Sequence, residues 1–240
     1  MKILTHRLLS ILPGVRLATI FKLPADSHLA GRATLIRDLE YWDLAGQPPP
    51  APTALSNRVK GAAHGHKIIV SLGWFSEDKG GCMLLDIFAE PIIAERFILI
   101  VAGTVEPEMA RRLAAVTDSG LIVENRMIDD DELLSLYSVA DLSWCCYAPE
   151  RDISSGVFGR SLQFDVPTIV RENSLLQRQM DDFGFGVAVP WQQPDAAAQR
   201  IVAWLDEPAR DARDPLTGLA NEFNAETELR KLRTLLGMHR

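Results

Sequence analysis

Short apolar runs alternate with stretches of helical periodicity from residue 67 to residue 208. The apolar runs are KIIVSLG, FILIVAG, LIVE, DLSWCCY, PTIV and GVAV. Runs whose apolar residues are continuous rather than alternating predict strands buried on both faces, and helices between such strands predict right-handed crossovers. The pattern therefore predicts an α/β fold built on a doubly wound parallel sheet.

The region before this series has a weaker pattern. It predicts a helix over residues 2–12, a strand over residues 15–21 and a helix through residues 30–43. The following segment, GQPPPAPTALSN, is rich in proline and small residues, which is typical of a linker. We therefore predict a short amino-terminal extension with its linker over residues 1–60. The sheet domain, with a carboxyl-terminal helix, is predicted over residues 61–240.

Composition narrows the classes of function. The chain has 240 residues and is 47% hydrophobic, which is enough for a packed core. It has 32 acidic and 25 basic residues, without a Lys/Arg run interleaved with aromatic residues, so we expect no nucleic-acid partner. Any anion would have to be bound locally.

The three cysteines and the amino terminus bear on localisation. Cys145 and Cys146 are adjacent in an apolar run, a spacing that suits neither a disulfide framework nor a zinc site and favours a reducing cytoplasm. The terminus MKILTHRLLSILPG lacks the continuous apolar core of a signal peptide or a membrane span. We predict a cytoplasmic protein and leave open a peripheral contact with the inner membrane face.

Four loops follow predicted strands at the carboxyl edge of the sheet, where open parallel sheets bind their ligands. The first, GWFSEDKGG, begins at Gly73 and contains Lys79, whose ammonium group can neutralise a diphosphate. A solvated lysine in an ordinary turn is the alternative interpretation. The second loop contains Gly103, which either permits close approach of a backbone or is a simple turn glycine.

The third loop contains Arg126, Met127 and Ile128. The two apolar side chains can frame a planar base beside the guanidinium group. An exposed loop arginine is the alternative interpretation.

The fourth loop opens a helix just beyond a strand. Asp152 is followed by Ser154, Ser155 and Gly156, and Arg160 lies one turn into the predicted helix. Free backbone N–H groups and the helix dipole favour an anion at such a place, so the loop is a candidate phosphate site. A serine-capped helix is the alternative interpretation.

Motifs for other chemistries are missing from the sequence. It has no GxSxG elbow, no HExxH and no Walker sequence. His64 and His66 resemble a metal pair, but no further His or Cys supports them and they precede the first predicted strand, at the opposite end of the sheet. We therefore expect neither a metal site nor a cofactor.

The order of these motifs resembles the nucleotide-sugar-binding half of retaining GT-B glycosyltransferases, in particular the family 4 group (group 1). The resemblance covers roughly residues 66–207. It is carried by Gly73, Lys79-Gly80, Gly103, Leu133 to Asp141 (LLSLYSVAD), Asp152 to Val170 (DISSGVFGRSLQFDVPTIV) and Gly186 to Pro190 (GVAVP).

The resemblance implies a Rossmann-like donor-binding domain of a hexosyltransferase of polysaccharide biosynthesis. It implies catalytic roles for Lys79 at the diphosphate and Asp152 at the sugar, with a nucleotide-diphosphate sugar as donor and a glycan or lipid-linked acceptor. Four residues depart from the family pattern. Asp152 stands at the first Glu of the Glu-x7-Glu motif, and Asp165 stands where glycine is usual. Arg160 stands at the second Glu of the Glu-x7-Glu motif, and Trp74 stands where an arginine often binds the diphosphate.

Length is a further departure, because only about sixty residues precede the first predicted strand. Three explanations are open: a divergent single-domain protein, a chain completed by a second subunit, or a fragment that lacks an amino-terminal acceptor domain. The leading hypothesis is a glycosyltransferase-like protein. The alternatives are a non-catalytic or partner-dependent module that binds a nucleotide sugar and, more weakly, a related epimerase or phosphorylase.

Overall fold

The computed structural model describes most of the chain. The described residues are 15–20, 22–23, 25–37, 44, 48–116, 120–184, 186–207 and 225–238. The chain divides into a smaller unit, Met1–Gly46 with Asp214–Arg240, and a larger unit, Gln47–Arg213. The helix predicted over residues 2–12 lies outside the described residues.

The larger unit alternates strands and helices, numbered here within this unit. Its strands are β1 (Lys67–Leu72), β2 (Phe97–Gly103), β3 (Leu121–Asn125), β4 (Leu142–Cys145), β5 (Thr168–Arg171) and β6 (Gly186–Val189). Its helices are α1 (Ala54–Ala63), α2 (Gly81–Phe88), α3 (Pro91–Ala94), α4 (Pro107–Ala115), α5 (Asp130–Tyr137), α6 (Gly156–Gln163), α7 (Leu175–Phe183) and α8 (Pro194–Asp206). A short 3-10 helix, Pro149–Arg151, follows β4.

All neighbouring strands of this sheet are parallel, in the order β3-β2-β1-β4-β5-β6. The order changes direction between β1 and β4, which pair through Ile69 with Leu142 and Val70 with Ser143. The predicted doubly wound, Rossmann-like sheet is confirmed. Its switch point directs the loops after β1 and β4 to one place at the carboxyl edge.

Apolar side chains cover both faces of the sheet. On β1, Ile69 joins the core cluster formed with α2, α4 and α8, whereas Ile68 and Val70 join the cluster on the other face, formed with α1 and α5. On β2, Leu99 and Ile100 divide between the two clusters in the same way. Burial on both faces explains why the apolar residues of these strands are consecutive rather than at every second position.

Helix α1 begins inside the segment predicted to be a linker. Thr53 caps it: its hydroxyl accepts from the Ser56 N–H, and the Ser56 hydroxyl accepts from the Thr53 N–H at 3.0 Å. Leu55 and Val59 are buried in the sheet core. Residues 54–57 are therefore helical, because a capping box and two buried side chains outweigh the linker-like composition before them.

Within its described residues, the smaller unit has two strands and a helix. Leu17–Thr19 pairs in parallel with Ala33–Leu35, and Ala225–Leu236 forms the predicted carboxyl-terminal helix. The predicted helix through residues 30–43 is wrong at Ala33–Leu35, because backbone pairing with the first strand outweighs local helix propensity. Residues 38–43 lie outside the described part. Among the described helices, none is long and apolar enough to cross a bilayer.

Candidate functional site

The loops after β1 and β4 touch each other at the switch point of the sheet. The Ala148 N–H donates to the Asp78 carbonyl oxygen at 3.0 Å, and the Trp144 indole N–H donates to the Lys79 carbonyl oxygen at 3.0 Å. These two bonds fix the backbone of the β1 loop against the end of β4. Lys79 is thereby held beside the loop that leads to α6.

Tyr147 lies close to one charged group from each of the two loops. The Lys79 Nζ atom is 6.0 Å from the centroid of the Tyr147 ring, and the Arg151 Cζ atom is 5.9 Å from the same centroid. The ring is buried, and its hydroxyl shares a hydrogen bond of 2.8 Å with the Ser155 hydroxyl. Because Ser155 also caps α6, the Tyr147 side chain lies next to both cations and is hydrogen-bonded to the start of that helix.

The Tyr147–Ser155 bond gives a first prediction. Ser155→Ala removes the cap of α6 and the Ser155 hydroxyl that is hydrogen-bonded to the buried Tyr147 hydroxyl, so we expect a loss of about 1–3 kcal/mol in the free energy of unfolding. In urea unfolding, Tyr147→Phe in the Ser155→Ala background should cost less than it does alone, with a coupling of about 1 kcal/mol. Ser174→Ala is the matched control, because Ser174 caps α7. Its effect should add to that of Tyr147→Phe, and equal additivity at Ser155 would contradict the coupling.

The charges at this place influence one another. Burial lowers the pKa of Lys79, and the nearby Arg151 guanidinium lowers that pKa further. The Ser76 hydroxyl bond lowers the pKa of Asp78, an effect that burial opposes and Arg151 reinforces. Arg151 NH1 lies 2.5 Å from Asp78 Oδ2. Two cations thus lie near one ring, with Asp78 as the carboxylate that faces one of them.

Gly73 lies beside the Lys79 ammonium group. A Cβ atom added at Gly73 would lie 3.9 Å from Nζ, so the missing side chain leaves that side of the ammonium open. The next residue, Trp74, is 50% exposed. The loop therefore presents its cation next to bare backbone.

Asp152 contacts the start of α7. Its Oδ1 atom accepts from the Leu175 N–H at 2.7 Å and from Arg171 NH2 at 3.3 Å, while Oδ2 lies 3.9 Å from Arg178 NH2. The carboxylate is in this way a stabilising partner of α7. A contact between the Asp152 carboxylate and the sugar of a donor stays a prediction.

The predicted base loop lies at the edge strand, two strands away from β1. Arg126 donates two bonds of 2.7 Å each to Glu132 and one of 3.2 Å to Glu124. Met127 is 86% exposed, whereas Ile128 packs on the sheet core. Of the three, Met127 presents the most open surface, and the role of the loop stays a prediction.

The start of α6 shows the cap that the sequence also allowed. Ser155 is buried and accepts from the Phe158 N–H at 3.3 Å. Ser154, Gly156 and Arg160 are partly buried around it. The hydrogen bond between the Ser155 and Tyr147 hydroxyls places this helix start beside Tyr147, and a phosphate role for its amides stays a prediction.

Sequence reasoning missed Tyr147 and Arg151. The sequence does place both residues at the carboxyl edge of the sheet. Tyr147 ends an apolar run, and Arg151 follows within the next few residues, next to Asp152. The two histidines considered above lie around the turn before β1, where His66 Nδ1 lies 2.9 Å from the Ala63 carbonyl oxygen. Among the described residues, no three His, Cys, Asp or Glu side chains are grouped as metal ligands.

Solved structures share this fold, although no protein-family model matches the sequence and no curated protein matches it significantly. An α,α-trehalose-phosphate synthase (UDP-forming) from Burkholderia xenovorans, in complex with glucose-6-phosphate, aligns with a TM-score of 0.62 and 14% identity over 85% of this chain and 51% of that one. Sucrose-phosphate synthase from Thermosynechococcus elongatus gives a TM-score of 0.60 and 19% identity over 85% of this chain and 52% of that one.

A single domain is also similar. The C-terminal domain of a glycosyl transferase group 1 family protein from Francisella tularensis aligns with a TM-score of 0.54 and 13% identity over 74% of this chain and 97% of that domain. The chain thus spans about half the length of the two synthases, and it aligns with nearly the whole of the single domain. These neighbours are GT-B glycosyltransferases, and the expected fold of a GT-B half is confirmed.

Proposed function

We propose that the chain binds a nucleotide-diphosphate sugar at the carboxyl edge of its sheet and takes part in sugar transfer. The transfer proceeds with retention, as in family 4, to a glycan or lipid-linked acceptor. The observation that carries the proposal is the position of Lys79. Its backbone is fixed against the end of β4 by the Trp144 bond, and its ammonium group lies beside Gly73 at the switch point.

Each predicted residue has a role in this proposal. Lys79 neutralises the diphosphate as it leaves, so that positioning and electrostatics carry the reaction without a protein nucleophile or a metal. Gly73 and Gly103 let the backbone approach the donor. The remaining roles are a phosphate contact by Ser154, Ser155, Gly156 and Arg160, a base contact by Arg126, Met127 and Ile128, and a sugar contact by Asp152.

The names of the neighbours guide the choice of donor. The Burkholderia xenovorans synthase is UDP-forming and was crystallised with a sugar phosphate. We therefore place UDP first among the nucleotides to test. The acceptor, a completing subunit or acceptor domain, and the cytoplasmic setting stay predictions.

A non-catalytic module that binds a nucleotide sugar is the second candidate. The observation that favours it is the engagement of Asp152, whose Oδ1 atom already accepts from the Leu175 N–H and from Arg171. A carboxylate held in this way stabilises α7 whether or not a sugar is present. Incubation with UDP-glucose and candidate acceptors distinguishes the two, because only a transferase forms a glycoside. The anomeric configuration of that glycoside matches the donor if transfer proceeds with retention.

Lys79→Ala tests the donor site directly. We expect this variant to lose at least about tenfold in affinity for the preferred nucleotide, or about 1.4 kcal/mol, because it removes a cation from the diphosphate. Calorimetric titration with UDP, GDP and ADP measures the loss, and circular dichroism should show an unchanged fold. Lys60→Ala is the matched control, since Lys60 is exposed on α1. Unchanged nucleotide affinity in Lys79→Ala would sink the proposal.

A further inference from the structure

Arg151 is anchored to the loop that carries Lys79. It ends the short 3-10 helix after β4, and its N–H donates to the Ala148 carbonyl oxygen at 2.9 Å. Ala148 in turn donates its N–H to the Asp78 carbonyl oxygen at 3.0 Å. Two consecutive backbone bonds thus fix the start of the Arg151 side chain relative to the neighbour of Lys79.

Both cations lie near one buried ring. Arg151 Cζ and Lys79 Nζ lie 5.9 Å and 6.0 Å from the centroid of Tyr147. Like charges brought together in a partly buried place repel each other, and the lowered pKa of Lys79 has this repulsion as its second cause after burial. A ligand with more than one negative charge would relieve the repulsion, whereas a neutral ligand would not.

The Arg151 side chain has donor capacity left over. Its NH1 group pairs with Asp78, but its Nε atom is buried without a hydrogen-bond partner, and the side chain remains 33% exposed. Asp78 also accepts a bond from the Ser76 hydroxyl, so its carboxylate keeps a partner when the arginine moves. The Arg151–Asp78 ion pair can therefore exchange. When it separates, Asp78 keeps its bond from Ser76, and the partly exposed Arg151 can bond to water or to a ligand.

We propose that Arg151 is the second cation of the diphosphate site and exchanges Asp78 for the ligand when the ligand binds. The inference rests on the proposed function, because the ligand is taken to be the diphosphate of the donor. One ammonium group is a point charge, and a guanidinium can add paired, directional bonds to phosphate oxygens. Lys79 and Arg151 would hold the anion from the two loops that meet at the switch point.

The exchange has two consequences of opposite sign. Arg151→Gln removes a phosphate contact and should lower the affinity for UDP, GDP or ADP, whichever binds, and for inorganic pyrophosphate by at least about tenfold. Asp78→Asn removes the competing carboxylate and should raise the same affinities about threefold. Affinity for the corresponding nucleoside should change in neither variant, since a nucleoside has no phosphate.

The experiment is calorimetric titration of the full 240-residue chain with these nucleotides and with pyrophosphate. Arg96→Gln is the matched control, because Arg96 forms the same kind of ion pair, with Asp206, just before β2 at the opposite end of the sheet. Circular dichroism reports whether each variant is folded. Because Asp78→Asn is expected to gain affinity, its result cannot be mistaken for unfolding.

The outcomes separate the inference from the function it rests on. Nucleotide binding that is lost in Lys79→Ala but kept in Arg151→Gln would overturn the inference and leave the proposed function standing. Arg151-dependent binding of pyrophosphate without binding of any nucleotide would support the anion site and overturn the proposed function. Absence of binding by every probe would overturn both, and unchanged affinity in Asp78→Asn would overturn the exchange.

Discussion

Gly103→Ala is expected to lower the free energy of unfolding by more than about 4 kcal/mol, an exceptional loss for one methyl group. Gly103 ends β2 with φ +138°, and a Cβ atom added there would lie 1.8 Å from the Gly73 carbonyl oxygen and 2.8 Å from its Cα atom. Both are backbone atoms and have no rotamer to change. The loop after β1 would have to move away from β2, in addition to the strain of the alanine backbone.

The movement would reach the candidate site. The Gly73 N–H donates to the Ala102 carbonyl oxygen at 2.9 Å, and the Phe75 N–H donates to the Thr104 carbonyl oxygen at 2.9 Å. These bonds hold the first part of the Lys79 loop against the end of β2. Urea unfolding measures the loss, with Gly65→Ala as the matched control, because Gly65 has φ +94° and open space where a Cβ would lie. Equal losses in both variants would show that the close approach is not what selects glycine at position 103.

The parallel sheet could be predicted because its signal is local and repeated. In β2 every residue is buried, so the run FILIVAG is apolar throughout, whereas the edge strand β3, LIVEN, is only partly buried and ends in polar residues. Helix boundaries were also predictable where a polar cap precedes an apolar stretch, as with Asp129 before α5, whose side chain accepts from the Glu132 N–H. These properties depend on residues within a few positions of one another.

The misinterpreted elements depend on distant partners or on competing signals. Ala33–Leu35 is a strand because Leu17–Thr19 lies beside it, which no local pattern states. Helix α1 starts directly after a proline-rich stretch, and its burial against the sheet outweighs that composition. A local secondary-structure propensity of a few tenths of a kcal/mol per residue is smaller than the free energy of such packing.

The candidate site divides in the same way. The positions of Lys79 and Ser155 could be predicted because each stands at a helix start just beyond a strand, whereas their roles stay predictions. Tyr147 and Arg151 gain their meaning only from contacts between loops about seventy residues apart, such as the Ala148–Asp78 bond. Asp152 could be singled out from the sequence, but its structural partner could not. Its carboxylate accepts from the N–H of Leu175, a residue of the next helix.

Gly80→Ala tests that contact between loops and is expected to cost about 3 kcal/mol or more in stability. Gly80 has φ +77°, and a Cβ atom there would lie 2.1 Å from the Cys146 carbonyl oxygen and 3.3 Å from Trp144 Cζ2. Gly184→Ala is the matched control, because Gly184 has φ +66° with no atom within 4 Å of an added Cβ, so only the backbone strain of about 1 kcal/mol remains.

The Gly80 variant also separates packing from binding. The added methyl group would push the Lys79 loop away from the end of β4, where Trp144 donates to the Lys79 carbonyl oxygen. Nucleotide affinity should therefore fall together with stability, under conditions where circular dichroism shows the variant to be folded. If stability falls as expected while the affinity for UDP, GDP and ADP is kept, the seating of the β1 loop on β4 serves the fold alone. The phosphate-binding cation would then have to be sought outside that contact, which would remove the geometric basis for assigning the site to Lys79.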